Sequence, residues 1–261
     1  MEGIFDMPEQ PFVDFQGKKV LVSGASSGLG RATCIELSRR GAGLILLGRN
    51  EAQLRITATQ VQTDDVHLLK IDLTAFSEIY GHIKAISEAH GRIYGLCHSA
   101  GVVETRPMNA IRIESLRRML DVNYLAGIEL ARAVCRRDVM TEDGGSILFI
   151  SSVYSHAGAA GQTGYCGSKG ALNAAARAMA IELARRKIRV NTLSPGLVQT
   201  TMTEEAFSRL SAEQRQRIEE AHPLGIGTPE DVARAAAFML APQNRWITGA
   251  DLVLDGGYLA Q

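Results

Sequence analysis

Residues 18 to 37 read Lys18-Lys19-Val20-Leu21-Val22-Ser23-Gly24-Ala25-Ser26-Ser27-Gly28-Leu29-Gly30-Arg31-Ala32-Thr33-Cys34-Ile35-Glu36-Leu37. A short apolar run, Val20 to Ser23, meets a glycine-rich turn and passes directly into a helical pattern. Such a strand-turn-helix unit exposes backbone N–H groups at a helix N-terminus. Glycines there permit positive φ and close approach, and the helix dipole favours an anion such as a pyrophosphate. The spacing is G-x-x-x-G-x-G rather than the common dinucleotide fingerprint G-x-G-x-x-G, and a plain tight turn would read the same way.

The pattern repeats along the chain. Apolar runs at Leu44 to Leu47, Val66 to Ile71, Ile93 to Cys97, Ser146 to Ile150, Ile188 to Leu193 and Leu252 to Leu254 complete seven predicted strands. Helical stretches lie at Arg31 to Arg40, Glu51 to Val61, Phe76 to Ala89, Ile111 to Arg137, Tyr165 to Arg186 and Pro229 to Leu240. Runs such as Leu44-Ile45-Leu46-Leu47 are apolar throughout, as expected where helices cover both faces of a parallel sheet. The expected fold is α/β, a single doubly wound, seven-stranded parallel sheet with helices on both faces.

A length of 261 residues exceeds the usual domain of about 150, but single α/β domains reach about 250. No linker, repeat or low-complexity tract divides it. We expect an N-terminal arm at 1–16, holding Phe5, Phe12, Phe15, Pro8 and Pro11 without periodicity, and one domain at 17–261. The polar segment at about 200–227 is read as an irregular lid, with Met202, Phe207 and Leu210 as its apolar contacts.

With 46% apolar and 21% charged residues, the chain can bury a large core, which excludes a disordered or coiled-coil protein. Lys plus Arg balances Asp plus Glu at 28 each, so no global field recruits nucleic acid or anionic membrane. Cys34, Cys97, Cys135 and Cys166 are widely separated, without C-x-x-C. This fits a reducing, cytoplasmic setting without a zinc ribbon, a disulfide framework or any other metal site. Glu2 and Asp6 stand where an apolar signal would be, and no run of about 18 apolar residues occurs.

Three further groups carry chemistry. Tyr165 and Lys169 lie four apart on one helix face, their Cβ atoms roughly 5–6 Å apart. A neighbouring ammonium is expected to draw the phenol pKa from about 10 toward neutrality, making a usable acid/base. Ser151-Ser152 follows a buried strand and would point into the crevice where open α/β sheets bind ligands, there to hydrogen-bond a carbonyl or alkoxide oxygen. Read singly, each has a bland alternative in a solvated helix pair or a strand-end turn.

Taken together with Asn123 in Asp121-Val122-Asn123-Tyr124, Pro195-Gly196-Leu197-Val198-Gln199-Thr200 and Asp255-Gly256-Gly257-Tyr258, these residues resemble the short-chain dehydrogenase/reductase family, in its single-domain branch. The resemblance covers roughly Phe15 to Tyr258. It implies a Rossmann-type fold and NAD(P)-dependent interconversion of a ketone and a secondary alcohol. It implies Tyr165 as general acid/base, Lys169 as tuner of its pKa and holder of the nicotinamide ribose, Ser152 as orienter of the carbonyl, and Asn123 in a water-linked proton path. Gly24, Ser26, Ser27, Gly28, Leu29 and Gly30 would line the pyrophosphate turn. Asp72 and Leu73 would meet the adenine edge, and Ala100 and Gly101 would approach the cofactor. Pro195, Gly196, Val198 and Thr200 would grip the carboxamide. Where the family usually shows Asn-Asn-Ala-Gly, this chain has His98-Ser99-Ala100-Gly101; a bracing histidine is the plainer reading, a catalytic one the alternative.

Cofactor choice is read at the end of the second strand. An NAD enzyme places a carboxylate there to accept from ribose hydroxyls, but this chain has Gly48-Arg49-Asn50. Arg49 offers a guanidinium fork suited to a 2′-phosphate, so NADPH is expected to be preferred, with some NAD use. Arg136, Arg137, Arg185, Arg186 and Lys187 lie at the ends of two long helices that neighbour each other in this family; a similar placement in 3-oxoacyl-carrier-protein reductases would serve an acidic carrier, while a solvated basic helix end favoured by the dipole explains the same residues. The carrier reading makes a 3-oxoacyl thioester the leading substrate. A sugar, steroid or other small alcohol is the alternative, and a non-catalytic nucleotide or redox sensor the reading of another class. The Tyr165 helix carries the small residues Ala171, Ala174, Ala175, Ala178 and Ala184 and is flanked by the Ile111 helix; in similar proteins these two helices form a dimer interface, so the resemblance implies a homodimer or homotetramer, a self-contained Ala-rich core helix being the alternative.

Overall fold

The computed structural model describes residues 13–200, 203–204 and 211–261. Seven strands, β1 (Lys19–Ser23), β2 (Gly43–Gly48), β3 (Val66–Lys70), β4 (Gly95–His98), β5 (Gly145–Ile150), β6 (Ile188–Pro195) and β7 (Asp251–Leu254), pair in parallel in the order β3-β2-β1-β4-β5-β6-β7. Around them lie α1 (Gly28–Arg39), α2 (Glu51–Ala58), α3 (Phe76–His90), α4 (Ile113–Leu120), α5 (Ala126–Val134), α6 (Thr163–Leu183), α7 (Ala212–Glu220) and α8 (Pro229–Leu240).

The continuous apolar strands work as two alternating sets, because successive side chains point to opposite faces. Leu21, Ile45 and Leu47 enter one core with Ile79 and Ile83 of α3, Leu130 of α5 and Leu172 of α6. Val20, Val22, Leu44 and Leu46 enter the other with Cys34 and Leu37 of α1, Leu54 of α2 and Val232 of α8. Since β1 pairs with both β2 and β4, the connection after β3 crosses back over the sheet. This places a crevice at the carboxyl ends of β1 and β4.

Two expectations need correction. The stretch Ile111 to Arg137 is not one regular helix: α4 and α5 flank a π-helical turn, Asp121–Leu125, in which the Ala126 N–H reaches back to the Asp121 carbonyl. The segment at 200–227 is not wholly irregular either. It contains α7, started by a capping box in which the Ser211 hydroxyl accepts from Gln214 N–H and the Gln214 side chain accepts from Ser211 N–H. Met202, Phe207 and Leu210, and the arm residues Phe5, Pro8, Pro11 and Phe12, lie outside the described residues. Phe15 is fully buried, edge-on to the Tyr94 ring.

The carboxyl end of the sheet is closed by the chain's last residues. Gly196 N–H donates to the Leu254 carbonyl (2.9 Å) and Leu224 N–H to that of Gly256 (3.0 Å). The Asp255 carboxylate accepts from Gly257 N–H (2.9 Å) and Leu259 N–H (2.8 Å). Among the described residues no helix is long and apolar enough to cross a membrane.

Candidate active site

Gly24 and Gly30 make the turn after β1 possible. Gly24 has φ of +70°, and a Cβ on it would lie 2.8 Å from the Ala100 nitrogen. A Cβ on Gly30 would lie 2.3 Å from the Gly24 carbonyl oxygen, so the first turn of α1 packs directly against the loop. Ser27, the N-cap of α1, makes no side-chain capping bond, and the first turn carries no acid. The N–H groups at Gly28, Leu29 and Gly30 thus retain the donors and the dipole that bind an anion, as a dinucleotide pyrophosphate requires. Thr200 closes on this turn from the far side, its Cγ2 3.8 Å from where a Gly28 Cβ would stand.

At the carboxyl end of β2 an open cavity of about 680 Å³ is lined by Ser26, Arg49, Asn50, Glu51, Ala52 and Lys70. Asn50 caps α2 by accepting from Gln53 N–H (3.2 Å), which holds the backbone beside Arg49. Lys70 was not expected in this site. It ends β3, and the strand register sets it opposite Gly48, so that it lines the same hollow as Arg49. Asp72 turns onto Thr74, accepting from its N–H (2.9 Å) and hydroxyl (2.8 Å); these bonds hold its carboxyl below the usual range. The neighbouring Leu73 is buried.

The central residues converge from four elements. Asn123 lies in the π turn, fully buried; its Oδ1 accepts from Val102 N–H (2.7 Å), and its Nδ2 donates to the Val102 carbonyl (2.9 Å) and the Ser168 hydroxyl (2.9 Å). Its amide is therefore committed to fixing the segment after β4 against α6, and Gly101 packs beside it. A Cβ on Gly101 would lie 3.4 Å from Asn123 Oδ1 and 3.5 Å from Lys169 Nζ. Ser152 follows β5 at the start of a 3₁₀ turn, its Oγ accepting from Tyr154 N–H (3.2 Å). Lys169, only 4% exposed, donates to the Ile150 carbonyl (2.8 Å) and stands 5.6 Å from the centre of the Tyr165 ring.

The electrostatics of this pair depart from expectation. Burial pushes the Tyr165 phenol up to about 12, partly opposed by its hydrogen bond with Ser152. Burial lowers the Lys169 ammonium to about 8. Desolvation sets both shifts, and it is the Ser152 hydroxyl rather than the Lys169 ammonium that opposes it at the phenol. The phenol is protonated at neutral pH, the form that can donate.

Beyond β6, Val198 is buried and bridges to Gly227, and Thr200 N–H donates to the Thr203 hydroxyl (2.7 Å). A Cβ on Gly196 would lie 2.9 Å from Asp255 Cα, which holds Pro195-Gly196 close to the C-terminal turn. His222, not foreseen, stands behind this loop: its Nε2 accepts from Leu197 N–H (3.3 Å), its Nδ1 donates to the Ile218 carbonyl (2.7 Å), and its ring stacks on Tyr258. The Arg/Lys patch lies elsewhere. Arg186 caps α5 by donating to the Cys135 carbonyl (2.5 Å), and Arg136 stacks on Tyr80 and pairs with Asp138. Lys187 immediately precedes β6, so within one chain the patch is at the opposite end of the sheet from Tyr165, a strand length of about 25 Å away.

A sequence profile described as Enoyl-(Acyl carrier protein) reductase matches residues 24–259. The chain belongs to the short-chain dehydrogenase/reductase family. It is 31% identical over 249 residues to the 3-oxoacyl-(acyl-carrier-protein) reductase FabG of Rickettsia bellii, with 95% of this chain and 99% of that protein covered. It is 29% identical over 251 residues to the L-rhamnose 1-dehydrogenase (NADP(+)) of Thermoplasma acidophilum, covering 95% and 98% respectively. A putative short-chain alcohol dehydrogenase from Sinorhizobium meliloti has the same architecture, with a TM-score of 0.90 at 28% identity, covering 96% of this chain and all of that one. This short-chain dehydrogenase/reductase is accordingly an oxidoreductase acting on CH–OH groups, of a family that uses NAD(P) cofactors.

Proposed function

We propose that the protein is an NADPH-dependent reductase of ketones, with a 3-oxoacyl thioester the first substrate to test. The observation that carries the cofactor reading is the hollow lined by Arg49 and Lys70 at the end of β2, where Gly48 brings no carboxylate and that of Glu51 is paired with Arg55. Two cations there suit a ribose 2′-phosphate. The bound nicotinamide would supply the hydride. The N–H groups of Gly28 to Gly30 would hold the pyrophosphate with Gly24, Ser26 and Ser27, and Asp72 and Leu73 would border the adenine. Ala100, Gly101, Pro195, Gly196, Val198 and Thr200 would enclose the nicotinamide end.

The protein's own chemistry follows from the side chains. Ser152 would donate to the substrate carbonyl oxygen and fix its direction. The Tyr165 phenol, protonated at neutral pH, would give its proton to that oxygen as negative charge develops. Lys169, anchored on Ile150, would bring positive charge beneath the phenol and stabilise the phenolate left behind. Asn123 would keep the segment bearing Val102 and Gly101 seated against α6. We propose the assembly to be a dimer or tetramer, and the segment at about 200–227 to cover the ligand.

The FabG relative supports a thioester, while the L-rhamnose dehydrogenase supports a sugar as the second reading. Incubation with NADPH and a panel of 3-oxoacyl thioesters, keto-sugars, diketones and ketosteroids, followed at 340 nm, tests the proposal. Turnover of a thioester above the others supports it. Turnover of none, with NADPH bound, would favour the nucleotide sensor.

A further inference from the structure

We propose that His222 is a positioning residue whose Nε2 lone pair holds the loop at 195–200 in the shape that takes the nicotinamide end of the cofactor, and that uptake of a proton by this ring releases the hold. The inference rests on the reading of that loop as part of a reductase site.

Most of the loop is tied down by main-chain groups. Gly196 N–H donates to the Leu254 carbonyl (2.9 Å), Gln199 N–H to that of Gly227 (2.9 Å), and the Leu197 carbonyl accepts from Gly227 N–H (3.1 Å). Two N–H groups turn to side chains instead. Thr200 N–H donates to the Thr203 hydroxyl (2.7 Å), and Leu197 N–H to His222 Nε2 (3.3 Å). Of these acceptors only the imidazole nitrogen can be filled by a proton near neutral pH. Both partners of the ring are main-chain groups, so its tautomer follows without choice. An amide N–H can only donate, and the Ile218 carbonyl, 2.7 Å from Nδ1, can only accept. The proton therefore sits on Nδ1, and the lone pair of Nε2 faces Leu197. That residue stands between Gly196 and Val198, two of those proposed to enclose the nicotinamide, so a shift of its N–H moves both.

A protonated ring has no second way to hold the loop. It is buried, stacks on Tyr258 with centroids 5.0 Å apart, and keeps its Nδ1 bond to the last turn of α7 in either charge state. A new N–H on Nε2 would point at the Leu197 N–H, donor against donor, and leave both without an acceptor, which is costly for buried polar groups. The neighbouring charges do not offset this. The loop at 195–200 carries no ionisable side chain. On the C-terminal turn the Asp255 carboxylate is occupied by Gly257 and Leu259 N–H, and Tyr258 offers its ring face. On α7, Glu213, Arg215, Arg217, Glu219 and Glu220 are exposed, and among the described residues no carboxylate forms an ion pair with the ring. Histidine changes charge between about pH 5 and 8. Proton and cofactor therefore oppose each other, and affinity falls as the pH falls.

Calorimetric titration with NADP+ at pH 8, 6.5 and 5, at constant ionic strength, tests this in three proteins. The cofactor phosphate and Lys169 titrate in all three, so the comparison between them isolates His222. In His222→Gln the amide oxygen can accept from Leu197 but does not titrate. In His222→Phe a ring remains on Tyr258 and the acceptor is gone. We expect the Kd of the parent to rise about tenfold more than that of His222→Gln between pH 8 and 5, the factor carried by one hydrogen bond. We expect His222→Phe to bind about tenfold more weakly than the parent at pH 8 and to match it at pH 5. Identical pH dependence in the parent and His222→Gln, or a His222→Phe variant as tight as the parent at pH 8, would overturn the proposal. The cofactor-free parent gives a second measurement. In ¹⁵N spectra the ring missing from His222→Gln should carry its proton on Nδ1 at pH 8, and the Leu197 amide resonance should shift as that ring titrates. A proton on Nε2, or a Leu197 amide indifferent to the titration, refutes the proposal even where NADP+ binds. A parent that binds no nicotinamide nucleotide at pH 8, with Leu197 following the ring, would refute the reductase reading and leave the hold of His222 on the loop standing.

Discussion

Replacing Lys169 by methionine should abolish activity and make the cofactor-free protein more stable at pH 7. Burial lowers this ammonium from 10.5 to about 8, and each unit corresponds to about 1.4 kcal/mol. Holding the charge inside the folded chain therefore costs about 3 kcal/mol at pH 7. The hydrogen bond to Ile150, lost in Lys169→Met, returns about 1 kcal/mol. A net gain of about 2 kcal/mol is left for methionine, which has similar length and needs no water. The sign with pH follows from linkage. The folded state releases the proton at lower pH than the unfolded state, so parent stability rises between the two pKa values. The advantage of Lys169→Met should be constant below about pH 7 and shrink by about 2 kcal/mol on going to pH 9.5. Urea unfolding at fixed protein concentration, so that any subunit association is held constant, measures both. A variant less stable than its parent at pH 7, or a gap that does not change with pH, would refute the reasoning.

Tyr165→Phe removes the proton donor and keeps the ring, so kcat should fall at least about 100-fold with NADPH affinity nearly unchanged; a variant retaining half its turnover would refute the acid role. Arg49→Ala should remove most of an NADPH preference of about tenfold or more in kcat/KM, Lys70→Ala a further part, and neither should much affect NADH, because each contact with the phosphate is charge-assisted and worth roughly 1.5–3 kcal/mol. Gly24→Ala forces a side chain into positive φ and into the Ala100 backbone; we expect NADPH binding to be lost and the midpoint of thermal unfolding to drop. Light scattering at micromolar concentration should give two or four times 28.2 kDa, and a monomer would count against the proposed assembly.

The fold was readable because the apolar runs at β2 and β5 admit few arrangements other than buried parallel strands. Tyr165, Lys169, Ser152 and Asn123 are singled out by a family resemblance in their order along the chain, and the structure sets Ser152 and Lys169 beside Tyr165 and packs Gly101 between Asn123 and Lys169. What escaped depended on neighbours remote in sequence. Lys70 enters the Arg49 hollow through the register of β3 on β2, which spacing does not reveal. The π turn at Asp121–Leu125 contains no Gly or Pro to announce it, whereas Ser211 and Gln214 did spell a capping box from which α7 could have been found. The direction of the Tyr165 pKa was misjudged because sequence shows the cation at four-residue spacing but not the burial that sets the shift.

The closing of Gly196 against Leu254 and Asp255, and of Leu224 against Gly256, bears on how the protein is made. Synthesis runs at about 5–20 residues per second, so several seconds pass between the emergence of β6 and that of the strand that covers it. During that interval β6 is an open sheet edge, the kind of surface that recruits foreign strands, and the loop from Pro195 to Thr200 lacks its backing. A nascent chain halted short of Asp251 would already possess its glycine turn, Tyr165 and Lys169, yet hold them in a half-walled crevice with a sticky border. The stretch from Asp251 to Tyr258 therefore does two things at once: it hides the edge of β6 and supplies the backing of the loop that begins at Pro195.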